Sequence, residues 1–500
     1  MLNKDTFATD PAQLHIANQG VAKARLPPAR DDMATLRGEL QTFVCDGAYG
    51  AGLTRIIEGF LGAKGDVPAA WISGFYGSGK SHLAKMLGAL WTNLEFDDGA
   101  RADGLIRDIP GPLRAALTEL RTKGRRSGGM LAAGDTLGTG PDDPAAATLQ
   151  IILRATGLPT DVRAAKVALW LDDLGILPDM RAALGETFER DITSFVLSPR
   201  FTPALFNLKP DLATSAADLR KLLASQFPEP PPVTVDELET MAAQALLLGR
   251  TELPLTLIVL DEVQQFIKQD PAMTLKIQAT AEHLSSRFKG KLLLVATGQE
   301  ALGDLPDLQK LMGRFSIQVS LSAADIDQVI RRTILLKKPE AVPALRAMLD
   351  ANAGEISRQL SGSKLAHSVA DSDASVLDWP ILPARRRLWV EIMRALDPTR
   401  LGSTLRSRLA STLEAARAYG DKPLGYAVPA DFLYDQVASE IANAGLLPAE
   451  TKEKIDALEG GTSDERLQGR VLSLVYMLSQ IAAEADRHGV RATAEAIADL

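Results

Sequence analysis

The chain has 500 residues, with 63 acidic residues against 55 lysines and arginines, and a formal net charge of -8. Hydrophobic residues make up 46% and charged residues 24%, which is typical of globular proteins and excludes a collagen-like or disordered polymer. The net negative charge disfavours a protein that coats a polyanion, such as a nucleic acid, over its whole surface. The length favours two to four domains, or one domain with a large insertion.

The cysteine count and the apolar segments exclude further classes of protein. Cys45 is the single cysteine, which excludes an internal disulfide and a cysteine-rich metal site, and the five histidines are not at ligand spacing. The N-terminal segment has acids and no apolar core, so it does not predict a secretory signal. The longest strongly apolar run, Leu253 to Leu260, is too short to span a bilayer. We expect a cytoplasmic protein with no membrane contact.

The first part of the chain predicts helices around one strand. Leu36 and Leu40 recur at helical spacing after a cap at Asp31 or Asp32. A second helix ends at Gly62, and VPAAWIS then predicts a short buried strand. The run GFYGSGKSHLAKMLGALW predicts a glycine-rich turn that leads into a helix.

The middle of the chain predicts a helical insertion over about residues 95–250, in which only GGMLAAGDTL has the pattern of a strand. Two apolar strands follow, within LPLTLIVLDEVQQFI and KLLLVATGQE, with a helix between them. Because buried strands alternate with helices, we expect an α/β fold with a parallel sheet covered on both faces. The predicted helices of the insertion are Gly111 to Lys123, Pro144 to Ala155, Asp161 to Leu171 and Ala217 to Gln226.

Beyond Lys338 the sequence predicts helices and no buried strand. We therefore predict one α/β domain over residues 1–338 and a mainly helical lid and downstream region over residues 339–500, all-helical or winged-helix-like. The final run, RATAEAIADL, has the pattern of a helix interior without a stop signal, so we expect a fragment of a longer protein. The helical stretches here are Ala341 to Leu360, Pro383 to Leu396, Leu401 to Ala418, Asp431 to Ala444 and Leu467 to Ala483.

The strongest motif is GFYGSGKS, residues 74–81, which matches the phosphate-loop pattern G-x-x-x-x-G-K-[ST] between a predicted strand and a predicted helix. Backbone N–H groups of such a loop and the helix N-terminus bind phosphates. Lys80 would neutralise the β and γ phosphates of ATP, and the Ser81 hydroxyl would ligate Mg²⁺. The alternative is a glycine-rich turn with an exposed lysine. The predicted nucleotide-binding residues are Gly74, Phe75, Tyr76, Gly77, Ser78, Gly79, Lys80, Ser81 and His82, of which His82 is more typical of packing than of catalysis.

Two acids end the first strand after the insertion. Mg²⁺ prefers hard oxygen ligands, and a hydrolytic enzyme must position its water. We predict that Asp261 lies beside the metal and that Glu262 polarises the attacking water. The alternative is that the two carboxylates only solvate the end of a strand.

Three further positions are candidates for contact with the γ phosphate. Thr297 ends the second apolar strand and would sense the phosphate, unless it is only a β-branched strand terminus. Arg314, in LMGRF, would act as an arginine finger from a neighbouring copy, with a surface arginine as the alternative. Arg331 and Arg332 lie on a later helix and would reach the phosphate from the lid, or form a solvated helix face.

Two basic clusters are candidates for DNA contact, RTKGRR at residues 121–126 and ARRR at residues 384–387. In an acidic protein the alternative for each is a solvated loop or an ion-pair face. Two glycine-rich stretches are not counted as phosphate loops. GTGPDD, at Gly138, lacks a following lysine and is predicted to be a turn, and GAYGAG, at Gly47, is predicted to lie between helices.

The order of phosphate loop, DE, ATGQ and GRF resembles AAA+ ATPases, particularly those related to origin-recognition proteins. More narrowly, the chain resembles the BrxC/PglY family of phage-exclusion (BREX) systems over most of its length. That resemblance lies in LHIANQGVAKA, SGFYGSGKSHLAKMLGAL, DWPILPARRRLWVEIMRALDP, LRSRLASTLEA, KPLGYAVPADFLYD and GVRATAEAIADL. The 181 residues from Lys80 to Asp261 exceed a minimal AAA+ core.

The resemblance implies an ATP- and Mg²⁺-dependent ATPase in a phage-defence complex. Its implied partners are a methyltransferase, an alkaline-phosphatase-like protein and small adaptor subunits, with DNA as a further candidate, and oligomerisation of the chain with itself would complete the site. A nucleotide-gated scaffold or switch with little turnover is the alternative function. A small-molecule phosphotransferase is less favoured, because the acid pair favours water and no acceptor-binding motif occurs.

Overall fold

The computed structural model describes residues 1–14, 24–63, 69–74, 77–267, 270–299, 315–396, 405–482 and 488–500. The chain forms two compact units. The sheet unit comprises Gly20–Phe75 and Gly79–Leu321, and the helical unit comprises Met1–Gln19, Tyr76–Ser78 and Ser322–Leu500. The last change between the units falls after Leu321, and the first residues belong with the C-terminal part.

The sheet unit contains one five-stranded sheet in the order β2-β3-β4-β1-β5. All four pairings are parallel, so the carboxyl ends of the strands share one edge of the sheet. The α/β prediction is therefore confirmed. The strands are β1 (Ala69–Gly74), β2 (Met130–Thr136), β3 (Leu255–Asp261), β4 (Leu292–Gly298) and β5 (Ile317–Leu321).

The sequence predicted four of these strands and missed β5. Strands β1, β3 and β4 are buried at every position, as their continuous apolar runs indicate. In β5 only Ile317, Val319 and Leu321 are buried, and the residues between them are exposed. A five-residue edge strand with period-two burial is a weaker signal than a continuous apolar run.

Helices of the sheet unit lie before and between the strands. The helices between β2 and β3 begin at Pro144, after β2, so the predicted insertion contains a strand of the sheet as well as helices. Side chains of these helices share one hydrophobic core with the strands. The helices are α1 (Met33–Thr42), α2 (Gly47–Gly62), α3 (Lys80–Thr92), α4 (Ala102–Leu105), α5 (Gly111–Arg125), α6 (Pro144–Ala155), α7 (Val162–Asp173), α8 (Leu177–Leu184), α9 (Phe188–Thr193), α10 (Phe201–Leu208), α11 (Ala216–Gln226), α12 (Val235–Leu247), α13 (Val263–Ile267) and α14 (Pro271–Arg287).

The stretch GAYGAG is helical, which corrects its predicted position between helices. Helix α2 begins at Gly47, whose N–H donates to the Asp46 side chain at 2.8 Å. A Cβ at Gly52 would lie 2.7 Å from Val319 Cγ1, and one at Gly59 would lie 2.4 Å from Ile317 Cδ1. These two glycines therefore allow α2 to pack closely against β5.

The described part of the helical unit contains helices, turns and isolated bridges, which agrees with the all-helical alternative for the C-terminal region. Stretches Asp371–Asp378 and Ala449–Glu459 are helical without having been predicted so. The helices are α15 (Ala323–Thr333), α16 (Val342–Ala351), α17 (Ala353–Arg358), α18 (Asp371–Asp378), α19 (Pro383–Leu396), α20 (Leu405–Ala418), α21 (Phe432–Asn443), α22 (Ala449–Glu459), α23 (Ser463–Ala482) and α24 (Ala494–Asp499).

The N-terminal residues fold into the helical unit through one buried amide. Asn3 is fully buried, and its Nδ2 donates to the carbonyls of Tyr419, at 3.1 Å, and Tyr426, at 2.8 Å. Its Oδ1 accepts a hydrogen bond from Trp379 Nε1 at 2.9 Å. Because every polar atom of this side chain is satisfied, burial of the amide is compatible with stability.

Lys337 is a buried cation of the same unit. Its Nζ lies 4.6 Å from the centre of the Phe7 ring and donates to the carbonyls of Leu335 and Leu377. Burial lowers the pKa of Lys337 to about 7, against the attraction of Asp378. The folded chain therefore binds this proton less readily than the unfolded chain does.

We expect Lys337→Met to remove a pH dependence of stability. Because the pKa of Lys337 is lower in the folded state, the free energy of unfolding rises with pH from about 7 towards the unfolded pKa of 10.5. In the wild type the thermal unfolding midpoint should rise between pH 7 and pH 8.5, and this rise should be smaller in Lys337→Met. The exposed Lys364→Met serves as the control, and equal slopes in all three proteins would contradict the assignment.

Candidate functional site

The loop after β1 has the backbone conformation that its glycines permit. Gly77 has φ of 75° and Gly79 has φ of 89°, both in the left-handed region that other residues rarely adopt. Gly79 is the N-cap of α3, which begins at Lys80. A strand, a glycine turn and a helix therefore follow one another here. Phe75 and Tyr76, two of the predicted binding residues, lie outside the described residues.

Lys80 and Ser81 lie in the first turn of α3. The Lys80 Nζ donates to the carbonyl oxygen of Gly74, at the end of β1, at 2.9 Å. The Ser81 hydroxyl donates to Asp261 Oδ1, at the end of β3, at 3.0 Å. The two sequence motifs, separated by 181 residues, therefore meet at the carboxyl edge of the sheet.

Thr297 connects the two acids at the end of β3, Asp261 and Glu262. Strand β4, which Thr297 nearly ends, lies between β1 and β3 in the sheet. The Thr297 hydroxyl donates to Asp261 Oδ1 at 2.5 Å and accepts a hydrogen bond from the Glu262 N–H at 3.0 Å. One hydroxyl therefore fixes both the carboxylate of Asp261 and the backbone of Glu262.

Glu262 has an uncommon backbone conformation for a residue with a side chain, with φ of 57°. Residues held in such conformations cost about 1–3 kcal/mol and cluster at active sites. Besides the bond to Thr297, the turn is held by Gln264, whose Oε1 accepts a hydrogen bond from the Gln299 N–H at 2.6 Å. Sequence reasoning missed Gln264 and Gln299, and the only signal for them was polarity just beyond two strand ends.

Burial raises the proton affinity of both acids. Asp261 is 1% exposed, and its burial raises its pKa, although the hydrogen bonds from Thr297 and Ser81 act in the opposite direction. Burial and the neighbouring Asp261 carboxylate raise the pKa of Glu262, whereas Lys80 lowers it. Both carboxylates therefore bind a proton more readily than exposed carboxylates do.

The oxygen atoms at this edge fit a magnesium ion. Ser81 Oγ and Asp261 Oδ1 are hard oxygen donors in contact with each other, and Mg²⁺ binds proteins through one or two such ligands together with waters and phosphate oxygens. A divalent cation would also offset the charge of the buried Asp261 carboxylate. The residues present therefore suit Mg²⁺ bound together with a phosphate group.

The remaining predicted residues lie elsewhere or outside the described part of the chain. The His82 ring contacts the Phe43 ring, with centroids 5.6 Å apart, which is a packing arrangement. Arg331 donates from Nε and Nη2 to the two carboxylate oxygens of Asp378, within the helical unit, so its guanidinium is already engaged. Arg314 lies outside the described residues, and its role stays a prediction.

The basic cluster ARRR does not form a nucleic-acid surface. Arg385 and Arg386 are each 8% exposed. Arg386 pairs with Asp378 and Asp327, and Arg387 pairs with Asp371 at 2.8 Å. Of the two alternatives for this cluster, the ion-pair face agrees with the structure, because its guanidinium groups bind carboxylates within the helical unit.

No family profile matches the chain. A solved structure of Drosophila ORC bound to DNA aligns with 95% of this chain and 84% of its own chain, at 12% identity and a TM-score of 0.29. Similarity at that level supports no argument about fold or function. Within the described residues, no helix has the length and apolar character needed to cross a membrane.

We expect Asp261→Asn to stabilise the nucleotide-free protein at pH 7. A carboxyl group whose pKa is raised by folding stabilises the fold below its unfolded pKa, and this contribution is lost as pH rises through the folded pKa. The amide keeps an oxygen for Thr297 and Ser81 but carries no charge. The thermal midpoint should rise by about 1–2 °C for each kcal/mol gained, since the shift falls as the number of residues that unfold together increases.

The same comparison at lower pH tests the cause. The advantage of Asp261→Asn over the wild type should shrink as pH falls towards about 4, where the unfolded aspartate is itself protonated. Asp142→Asn, in an exposed loop, should show no such gain. A destabilised Asp261→Asn protein at pH 7 would contradict the view that burial of this charge is costly.

Proposed function

We propose that the protein is a Mg²⁺-dependent P-loop ATPase. The observation that carries this proposal is the hydrogen-bonded set of Ser81, Asp261 and Thr297, which lies beside the glycine turn and Lys80. Ligands of open α/β sheets bind outside the carboxyl ends of the strands, where these residues meet. Lysine, hydroxyl and carboxylate, in this order along the chain, are the groups that phosphoryl transfer requires.

In this proposal each residue of the set has a separate task. The backbone N–H groups after Gly77 and the first turn of α3 bind phosphates, and Lys80 exchanges its bond to the Gly74 carbonyl for phosphate oxygens. Ser81 and Asp261 hold Mg²⁺, which when bound neutralises charge on the β and γ phosphates. Thr297 orients Asp261 and would sense the γ phosphate.

Glu262 is the proposed general base. Its left-handed backbone sets its carboxylate apart from that of Asp261, since successive residues at a strand end already point in different directions. Burial raises the pKa of Glu262. A general base works best when its pKa lies near the working pH, because it is then ionised and still accepts a proton. Water positioned by Glu262 would then attack the γ phosphate.

We further propose that hydrolysis is coupled to assembly or remodelling of a bacterial phage-defence complex on DNA. The support is the sequence resemblance to the BrxC/PglY family. The proposed partners are those of BREX systems, namely a methyltransferase, an alkaline-phosphatase-like protein and small adaptors, in the cytoplasm. Arg314 would complete the site of a neighbouring copy in a homo-oligomer, as an arginine finger.

Lys80→Ala should reduce ATP affinity without unfolding the protein. A hydrogen bond to a charged group contributes about 1.5–3 kcal/mol, so we expect a loss of about 10-fold to 100-fold in calorimetric titration. The Lys80 side chain is only half-buried, so its truncation leaves the packing of the core intact. The exposed Lys221→Ala should bind ATP as the wild type does. Unchanged binding by Lys80→Ala would refute the site.

Glu262→Gln should bind Mg-ATP normally and hydrolyse it at least about 10²-fold more slowly, as expected for loss of a general base. The amide preserves size and leaves the Glu262 N–H bond to Thr297 intact. Phosphate release measured under single-turnover conditions separates this step from binding. Hydrolysis at the wild-type rate would show that the acid pair is assigned wrongly.

The same variant distinguishes a motor from the alternative, a nucleotide-gated switch. A motor held in the ATP-bound state would lose phage exclusion in cells, because each cycle requires hydrolysis. A switch would keep phage exclusion or become constitutively active, because binding alone fixes its active conformation. Phage plating on cells that carry Glu262→Gln is the measurement.

A further inference from the structure

A basic surface lies at the amino edge of the sheet, on the opposite side from the candidate nucleotide site. It is built from two segments, each of which runs from the end of a helix to the start of a strand. One leads from α5 into β2, and the other leads from α14 into β4. The cations of this surface are Lys123, Arg125, Arg126, Arg287, Lys289 and Lys291.

Hydrogen bonds hold the two segments together. Lys291 Nζ donates to Ser127 Oγ at 2.8 Å, which joins the second segment to the first. The Lys291 carbonyl accepts from the Thr256 N–H at 2.7 Å, and the Gly129 carbonyl accepts from the Leu255 N–H at 2.9 Å. Both segments are therefore attached to the start of β3, and the basic surface has a fixed backbone.

Lys123 belongs to the same surface. Its Nζ lies 4.6 Å from the centre of the Phe60 ring, which holds the side chain against α2. Burial and the neighbouring charge of Lys291 lower its pKa, whereas Glu119 raises it. The effect of Lys291 on Lys123 is consistent with cations of the two segments sharing one surface.

The six cations are not compensated by carboxylates in contact. Within the ranges that the structure describes, none of them forms an ion pair, although the surface is close to the exposed Glu119 and Glu252. Arg125, Arg126, Arg287 and Lys289 are exposed to solvent. This differs from ARRR, where the guanidinium groups are buried and paired, and it occurs in a chain whose net charge is -8.

We propose that this surface binds the phosphate backbone of a nucleic acid without reading its sequence. Several exposed cations on a fixed backbone match a polymer that repeats a negative charge along its length better than they match one small anion. Lysine and arginine contacts to phosphate position a protein on a duplex, whereas sequence is read by contacts to base edges. The choice of nucleic acid among polyanions rests on the proposed DNA-linked function. The surface itself does not depend on ATP hydrolysis.

The test measures binding of the full chain to a fluorescently labelled DNA duplex of mixed sequence, without nucleotide, by anisotropy between about 50 and 200 mM salt. Arg126→Gln with Lys289→Gln should weaken binding and lower the slope of log affinity against log salt by about 2, one for each lost phosphate contact. The matched control, Arg220→Gln with Lys221→Gln on α11, removes the same charge and should leave the slope unchanged.

Two results would overturn the proposal. An equal loss of DNA affinity in both double variants would mean that only the net charge of the protein matters. If the wild type does not bind DNA but does bind phosphatidylserine vesicles, the surface binds membranes instead. ATP turnover is measured in the same proteins. DNA binding that depends on Arg126 and Lys289 in a protein without ATPase activity would refute the proposed enzyme and leave this surface standing.

Discussion

The hydroxyl of Thr297 is the contact on which the candidate site depends. It donates to Asp261 and accepts from the Glu262 N–H, so one atom sets the position of the carboxylate and of the next residue's backbone. Without it, Asp261 would lose a partner that offsets its burial, and the left-handed turn at Glu262 would lose a restraint. The geometry of the acid pair therefore depends on β4, which carries Thr297, as much as on β3.

The sequence predicted the parts of the fold that carry continuous or strictly periodic patterns. Apolar runs located β3 and β4, and the glycine-rich motif located the turn before α3. The short edge strand β5 and the helical start of α2 were not found. Each of these depends on tertiary packing, since Gly52, in the start of α2, becomes favourable in a helix only because Val319 of β5 approaches it.

The same distinction applies to the site. The residue types needed for phosphate and metal could be named from their spacing, but the sequence could not show which atoms meet. Gln264 and Gln299 bring two strand ends together through one bond, and nothing in their local pattern indicates it. The sequence also could not show which arginine-rich cluster is exposed. ARRR and RTKGRR have similar composition, yet Arg386 of the first is buried against Asp327 and Asp378, whereas Arg125 and Arg126 of the second are exposed to solvent.

Strand β4 joins the two edges of the sheet unit directly. Lys291, on the basic surface, immediately precedes β4, and Thr297 is the sixth of its seven residues. A strand rises about 3.3 Å per residue, so the two side chains are about 20 Å apart along one extended segment. Since β1 and β3 flank this segment on both sides, it has no hinge along its length. The basic surface and the Thr297 hydroxyl are therefore attached to opposite ends of one strand that is held on both sides.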